Sequence, residues 1–295
     1  MNKYNKPFWF TWISVLLLSV AALLLLYLGY IDYGIAVFCV LPICIGILTG
    51  IMGKKRKAIL GMIAAIATIV FLLWAGQLEG LVCIVMAIPV VAFFILLGYI
   101  IAFIIKKLSK KDDALKLTVI PFLLFFLSAG IEIAWKGTEA FSHVTTSIQL
   151  PYPGDTVYNH IKQVDTVTAS PSFIHQLGLP YPRKCIMITE QPGGLRICEF
   201  DEGRIIEKIS RLKKNELLEM DVIEYGLPGQ SWFTFEKDTY AIKETNGLTT
   251  ISRTTIYSSK LKPRLYWKWI EKITIGAEQA LVFKNLKNEL AATAY

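Results

Sequence analysis

The run Arg204–Ser210 carries a carboxylate, Glu207, with Ile205 two residues before it and Ile209 two residues after. In a β-strand successive side chains alternate between faces, so these three point the same way. A carboxyl held between two isoleucines is a setting in which burial raises a pKa far enough for proton transfer. The same placing also suits a salt bridge or a residue near a sheet edge. Glu207 is thus the one candidate general acid or base. On the preceding run, Leu195, Ile197, Glu199 and Asp201 share one face, and Arg196, Cys198 and Phe200 share the other. Arg196 and Glu199 therefore cannot pair on one face, and both are expected at the surface beside Lys208 or Arg204.

Other reactive side chains are sparse. His143, His160 and His175 are scattered, no CxxC occurs, and no metal site or Cys–His nucleophile is expected. Cys39, Cys44 and Cys83 lie in apolar runs, where cysteine behaves as a small hydrophobe. Cys185 and Cys198 fall on two runs that read as paired strands, which makes a disulfide possible in an oxidising compartment. There is no phosphate-binding or dinucleotide glycine pattern, no serine elbow and no HExxH, so no cofactor is expected.

These residues sit in a chain of two textures. Over 295 residues only 18% are charged and 54% are apolar, with a mean hydropathy of +0.49. Residues 1–144 hold 12 Lys/Arg and 6 Asp/Glu, whereas residues 145–295 hold 19 and 17, so the net +8 divides into +6 and +2. A disordered chain, a disulfide-rich scaffold and a single soluble domain are excluded. So is a nucleic-acid footprint, because the +2 half interleaves acids throughout.

A helix crosses the bilayer core with about 20 largely apolar residues. Five stretches qualify, 8–30, 33–52, 58–76, 80–105 and 115–135, and they define a transmembrane region over 1–140. Pro42, Pro89 and Pro121 predict kinks. Glu132, near the outer end of the fifth stretch, reads as an interfacial or junction-capping carboxylate. Gly46 and Gly50 form a GxxxG suited to close helix packing. Eleven basic residues fall before the first span and in the loops after the second and fourth, against Lys136 alone on the other side. The positive-inside rule then puts the N-terminus in the cytoplasm and the C-terminal half outside an inner or plasma membrane.

From residue 145 to 295 the pattern changes to short alternating runs. Thr145–Leu150 reads as a strand. A short helix capped by Asp155 and another over Pro171–Leu177 follow, then strands over Arg183–Glu190, Leu195–Asp201, Arg204–Ser210 and Leu217–Tyr225. Trp232–Phe235 and Thr239–Lys243 continue the series, and Asn246-Gly247 marks a hairpin into Leu248–Ser258. The chain closes with a helix over Lys262–Leu290, on which Trp269, Ile273, Gly276, Ala280, Phe283 and Leu290 recur at helical spacing. A curved antiparallel sheet wrapped on that helix buries both apolar faces. Small residues on the helix leave space under the sheet for a mostly apolar pocket. Its expected lining is Trp269, Ile273, Gly276 and Ala280, with Tyr225, Trp232 and Trp267 near the opening.

Several spaced motifs carry a resemblance. Leu177-Gly-Leu-Pro-Tyr-Pro-Arg183, Gly194-Leu-Arg-Ile-Cys-Glu-Phe200 and Glu207-Lys-Ile209 are similar to membrane-anchored, uncharacterised bacterial members of the START/Bet v 1-like (SRPBCC) superfamily, which includes lipid-transfer proteins and polyketide cyclases. Glu79-Gly-Leu-Val-Cys83 with Met86 and Pro89, and Leu265-Tyr-Trp-Lys-Trp269, echo their membrane pattern. Gly226–Ser231 is shorter than the loop those relatives carry. The resemblance implies a multi-span α-helical membrane region followed by an α+β helix-grip domain. It also implies a hydrophobic ligand, a lipid or another small molecule, bound beside the bilayer. No catalytic residue comes with it. The alternatives are a cyclase- or hydrolase-like enzyme using Glu207 and a non-catalytic signalling or structural partner within the membrane.

Overall fold

The computed structural model describes residues 6–52, 55–75, 80–108, 114–134, 140–227 and 232–293. The chain divides into two units, Met1–Thr138 with Lys260–Trp267, and Glu139–Ser259 with Lys268–Tyr295.

The first unit is helical because long runs without charge can satisfy their backbone only within themselves once water is excluded. Its helices are α1 (Lys6–Tyr27), α2 (Leu41–Ile51, entered through a π-helical turn over Ala36–Val40), α3 (Lys55–Ala75), α4 (Leu81–Leu108) and α5 (Ala114–Ala134). Three of them, Lys6–Tyr27, Arg56–Ala75 and Leu81–Leu108, are long and apolar enough to cross a membrane; Ala36–Ile51 and Thr118–Ala134 are shorter apolar helices.

Gly46 and Gly50 serve close packing. A Cβ on Gly46 would lie 2.1 Å from the Ile95 carbonyl of α4, one on Gly98 would lie 2.1 Å from the Ile43 carbonyl of α2, and one on Gly50 would meet the Ala102 methyl. The GxxxG of α2 thus faces Gly98 and Ala102, a second small-xxx-small pair. Pro89 and Pro121 lie inside α4 and α5. Pro42 follows the π-helical turn within the apolar helix Ala36–Ile51, where its missing N–H removes a helix bond. Glu132 Oε2 accepts the Ala36 N–H at 3.0 Å, and Lys106 Nζ donates to the Ile51 carbonyl at 2.8 Å. Both side chains satisfy helix-end groups. In the same unit Trp267 packs its ring 4.8 Å from that of Phe38, and the Tyr266 hydroxyl donates to the Met86 carbonyl. Glu79, Lys136 and the basic residues Lys3, Lys54, Lys110 and Lys111 lie outside the described residues.

The second unit runs β1 (Ala140–Leu150), α6 (Gly154–Lys162), α7 (Phe173–Gln176), β2 (Pro182–Met187), β3 (Leu195–Phe200), β4 (Arg204–Lys213), β5 (Leu217–Tyr225), β6 (Phe233–Thr245), β7 (Leu248–Ser259) and α8 (Arg264–Thr293). All seven strands form one antiparallel sheet in the order β1-β7-β6-β5-β4-β3-β2. Strands two to seven are a meander, and β1 returns to pair with β7 along its whole length. With the long C-terminal helix, this curved half-barrel is a helix-grip arrangement.

Turn chemistry fixes the registers. Asn246 and Gly247 both have positive φ, 54° and 74°, as a type I′ turn requires. That turn pairs Tyr240 with Arg253 and Asp238 with Thr255. The expected break between Phe235 and Thr239 is a register shift within one continuous strand, β6. Gly203, at φ 96°, turns β3 into β4 and sets Arg196 opposite Glu207. Asp155 does not cap α6. It lies inside the first turn, and Glu244 Oε2 takes the Gly154 N–H at 2.9 Å instead.

Candidate functional site

The inner face of the sheet is layered. At one end Leu150, Val157, Ile161, Ile209, Leu218, Met220, Ile251, Phe283, Leu286 and Leu290 make the main apolar core. At another place Val144, Tyr257 and Ile275 pack with Phe233 and Phe235. The described residues lining a cavity beneath the sheet include five acidic or basic side chains: Arg196 of β3, Glu207 of β4, Asp238 of β6, Arg253 of β7 and Glu278 of α8. None of the five is more than 7% exposed.

Their contacts are close. Arg196 Nη1 donates to Glu207 Oε2 at 2.8 Å, while its Nη2 and Nε reach the carbonyls of Ile161 and Lys162 at the end of α6, each at 3.3 Å. Arg253 is the hub of a second group. Its Nε and Nη2 donate to Asp238 Oδ2 at 2.9 and 2.6 Å, and its Nη1 donates to both Glu278 oxygens at 2.9 and 3.0 Å. The Thr255 hydroxyl donates to Asp238 Oδ1 at 2.5 Å, and Gln279 Nε2 donates to Thr255 Oγ1 at 2.8 Å. Tyr240 lies between the two guanidiniums, with Arg196 Cζ 5.8 Å and Arg253 Cζ 5.4 Å from its ring centre, within cation–π range.

Burial pushes the Glu207 carboxyl upward, against the opposing pull of Arg196, with Asp238 adding to the rise. Burial pushes Glu278 upward too, opposed by Arg253 and reinforced by Asp238. The Tyr240 hydroxyl is raised by burial. Both guanidiniums stay charged beside their carboxylates.

The remaining walls are apolar: Val164, Val167, Phe200, Ile205, Val222 and Phe235, with the Cys185–Cys198 disulfide and Asn285. The two cysteines are register partners on β2 and β3, so the bridge that the sequence allowed is formed. The unfilled space is about 520 Å³ when the open mouth is counted, but only about 20 Å³ admits the centre of a water molecule. That is room for one or two waters, not for an acyl chain.

Among the sequence-derived candidates, only Glu207 lines this cavity. Tyr225 and Trp232 are brought together in an aromatic group with Phe233 and Phe235: ring centres are 5.4 Å apart for Tyr225–Phe235 and 6.1 Å for Trp232–Phe233. They touch the cavity only through Phe235. Trp267 belongs to the helical unit. Trp269, Ile273 and Ala280 are exposed, Trp269 by 61%, and a Cβ on Gly276 would meet nothing within 4 Å. The expectation that this stripe faces the sheet is corrected. The buried face of α8 carries Glu271, Ile275, Glu278, Gln279, Val282, Phe283, Asn285 and Leu286. Its polar members have partners on β7, where Tyr257 and Ser259 donate to Glu271, and on the loop after α6, where Asn285 Oδ1 accepts from Thr168 and Ala169.

Arg196 is corrected as well. It is 2% exposed and pairs with Glu207, not with a surface neighbour; Arg204 pairs with Glu224 instead. Counting outward from the Asp201-Glu202 centre of the turn would have found this pair, since it is directly opposite in the hairpin. Counting from Asn246-Gly247 would likewise have set Arg253 beside Tyr240. Glu278 left no such signal. Most of the Gly226–Ser231 segment lies outside the described residues, and among the described residues no cluster of His, Cys, Asp and Glu could hold a metal ion.

No family model matches the chain, and no curated protein does. Solved structures that are similar over part of it include the Zhui aromatase/cyclase from Streptomyces sp. R1128, 12% identical over 50% of this chain and 93% of that one, at a TM-score of 0.36. Norcoclaurine synthase from Thalictrum flavum, in complex with dopamine and hydroxybenzaldehyde, is 17% identical over 52% of this chain and 88% of that one, at a TM-score of 0.35. Ara h 8.0201 is 12% identical over 50% and 99%, at 0.32.

Proposed function

We propose that this chain is a membrane-tethered binding module, in which the helix-grip domain holds a small molecule with an apolar body and a polar head. The observation that carries this reading is the cavity itself, apolar on one side and ionised on the other. Removing a charge from water costs several kcal/mol even after pairing, and a well-packed apolar interior is often as stable or more so. A helix-grip core gains little stability from five such groups, and perturbed carboxyls beside a cavity mark a functional site more often than chance. The ligand expectation is narrowed accordingly. A whole lipid would enter only if sheet and helix parted, whereas a small amphiphile meets the cavity with its head inward.

Tethering rests on the three long apolar helices. An extracytoplasmic domain is supported by the eleven-to-one division of basic residues and by a disulfide, which persists in oxidising compartments. The binding reading is tested by extracting the full-length chain from lipid nanodiscs and weighing what co-purifies. A small amphiphile should accompany the wild type and be lost on Val222→Phe, which fills the wall of the cavity. Absence of any extractable molecule, with no change in melting on adding short-chain amphiphiles, would overturn it. A reporter fused to the C-terminus decides the side.

A second reading, a cyclase- or hydrolase-like enzyme, is favoured by one observation: Glu207 is a buried, upward-shifted carboxyl on the cavity wall. Its Arg196 partner already uses one oxygen, which suits a structural pair better than a free base. Turnover of any amphiphile found to co-purify, compared between wild type and Glu207→Gln, separates the two readings.

A further inference from the structure

The charges around the cavity do not balance. Arg196 and Arg253 supply two positive charges, while Glu207, Asp238 and Glu278 supply three negative ones. β2 and β5 bring only Pro182, Cys185 and Val222 to the lining, none of them charged. β3 contributes Arg196, β4 contributes Glu207, β6 contributes Asp238 and Tyr240, β7 contributes Arg253 and Thr255, α6 offers only the carbonyls of Ile161 and Lys162, and α8 adds Glu278, Gln279 and Asn285. Among the described residues, no lysine or histidine side chain lines the cavity. Arg253 is consumed on both sides by Asp238 and Glu278, so it cannot serve a further anion. A net negative charge in a low-dielectric interior requires a counter-charge.

Two species meet that need in a space of about 20 Å³: a proton on one of the carboxyls, or a cationic group no larger than water. An ammonium head is of that size. It offers only N–H donors, and the carboxylates keep acceptor capacity beyond the bonds they take from Arg196, Arg253 and Thr255. We propose that the cavity binds the ammonium head of a small primary amine, with the alkyl body directed to the open mouth. This rests on the binding-module reading and gives it a ligand class. In the empty site one carboxyl holds a proton, consistent with the upward direction at Glu207 and Glu278. When the alkylammonium enters, that proton leaves to solvent, and the total charge of the cluster is unchanged.

The experiment is calorimetric titration of the full-length chain in nanodiscs with methylamine, n-butylamine, 1-butanol and butyrate, each in phosphate and in HEPES. Butylamine should bind at least tenfold more tightly than 1-butanol, with butyrate weaker still. About one proton should be released per amine bound, and affinity should climb by up to tenfold per pH unit while the cluster remains protonated. Glu278→Gln leaves two carboxylates against two guanidiniums and should abolish the preference for amine over alcohol. The double variant Arg196→Met with Glu207→Gln keeps the imbalance at Asp238, Arg253 and Glu278 and should retain it. Should Glu278→Gln fail to fold, wild-type selectivity and proton release decide alone. Equal or better binding of butyrate, or amine binding without proton release, overturns the ammonium assignment. If 1-butanol alone binds, the module reading stands and the ammonium assignment falls; if none of the four probes binds, both fall.

Discussion

Replacing Arg253 by Met would remove the one cation that Asp238 and Glu278 share. The guanidinium makes four hydrogen bonds to them between 2.6 and 3.0 Å, and both carboxylates are more than nine-tenths buried. Truncating one member of a buried ion cluster costs about 3–5 kcal/mol, because the partners are left charged and dry. At about 1.4 kcal/mol per tenfold change, amide protection along β6 and β7 should fall roughly 100- to 4,000-fold. Hydrogen exchange of the full chain in nanodiscs reads this strand by strand. The deficit should shrink as pH falls, and it should begin to do so above the ordinary carboxyl range, because burial already raises Glu278 and the guanidinium that opposed the rise is gone. Adding Asp238→Asn and Glu278→Gln to the variant should restore most of the protection, since no uncompensated charge then remains. A loss below about tenfold, or a triple variant no better than the single one, would refute the claim that these charges are buried and mutually dependent.

Four further outcomes are expected. Because burial raises Glu207 and Glu278 above the ordinary carboxyl value, the folded domain holds protons that the unfolded chain releases. Their contribution to stability is therefore complete below the ordinary value and is lost as pH rises through the raised ones; urea unfolding across that range should show the slope, and Glu278→Gln should flatten it. Replacing Cys185 and Cys198 by Ser opens a loop with a sequence separation of 13 and should cost about 3 kcal/mol, visible as a lower melting temperature that reductant no longer changes. Gly98→Leu places a side chain where even a Cβ lies 2.1 Å from the Ile43 carbonyl, so melting in detergent should drop by the ~1–3 kcal/mol of an overpacked contact, whereas Gly130→Ala, with nothing within 4 Å, should be neutral. Gly247→Ala meets open space but a φ of 74°, and the backbone alone should cost about 1–2 kcal/mol.

The order of elements in the second unit was legible because it is written in local signals: Asn246-Gly247, the glycines at 194 and 203, and period-two runs between them. Ile205, Glu207 and Ile209 were assigned to one face correctly, and all three are buried. On the last helix Phe283 and Leu290 do face the core, but the first half of the expected stripe, Trp269 to Ala280, does not, for a physical reason. A face is read by its apolar letters, and Glu271, Glu278, Gln279 and Asn285 disqualify the stripe that is in fact inward. Their partners lie on β7 and on the loop after α6, so α8 alone gives no hint that its charges are satisfied. The same blindness hid the cavity. Small and apolar residues on α8 pointed to a greasy pocket, while its ionised lining comes from four strands and one helix that only the tertiary fold assembles. In the first unit, the GxxxG of α2 was visible, but its counterpart Gly98–Ala102 is meaningful only once the two helices meet.

The pairing of β1 with β7 has a consequence for how the chain is made. Leu150 pairs with Thr249 and Ala140 with Ser259, so the first strand of the sheet leaves the ribosome roughly 100 residues before its partner. At about 5–20 residues per second, β1 waits on the order of 5–20 s with an unpaired edge, and longer before α8 covers the sheet. Translation speed between the two strands therefore sets how long the nascent β1 stays without its partner.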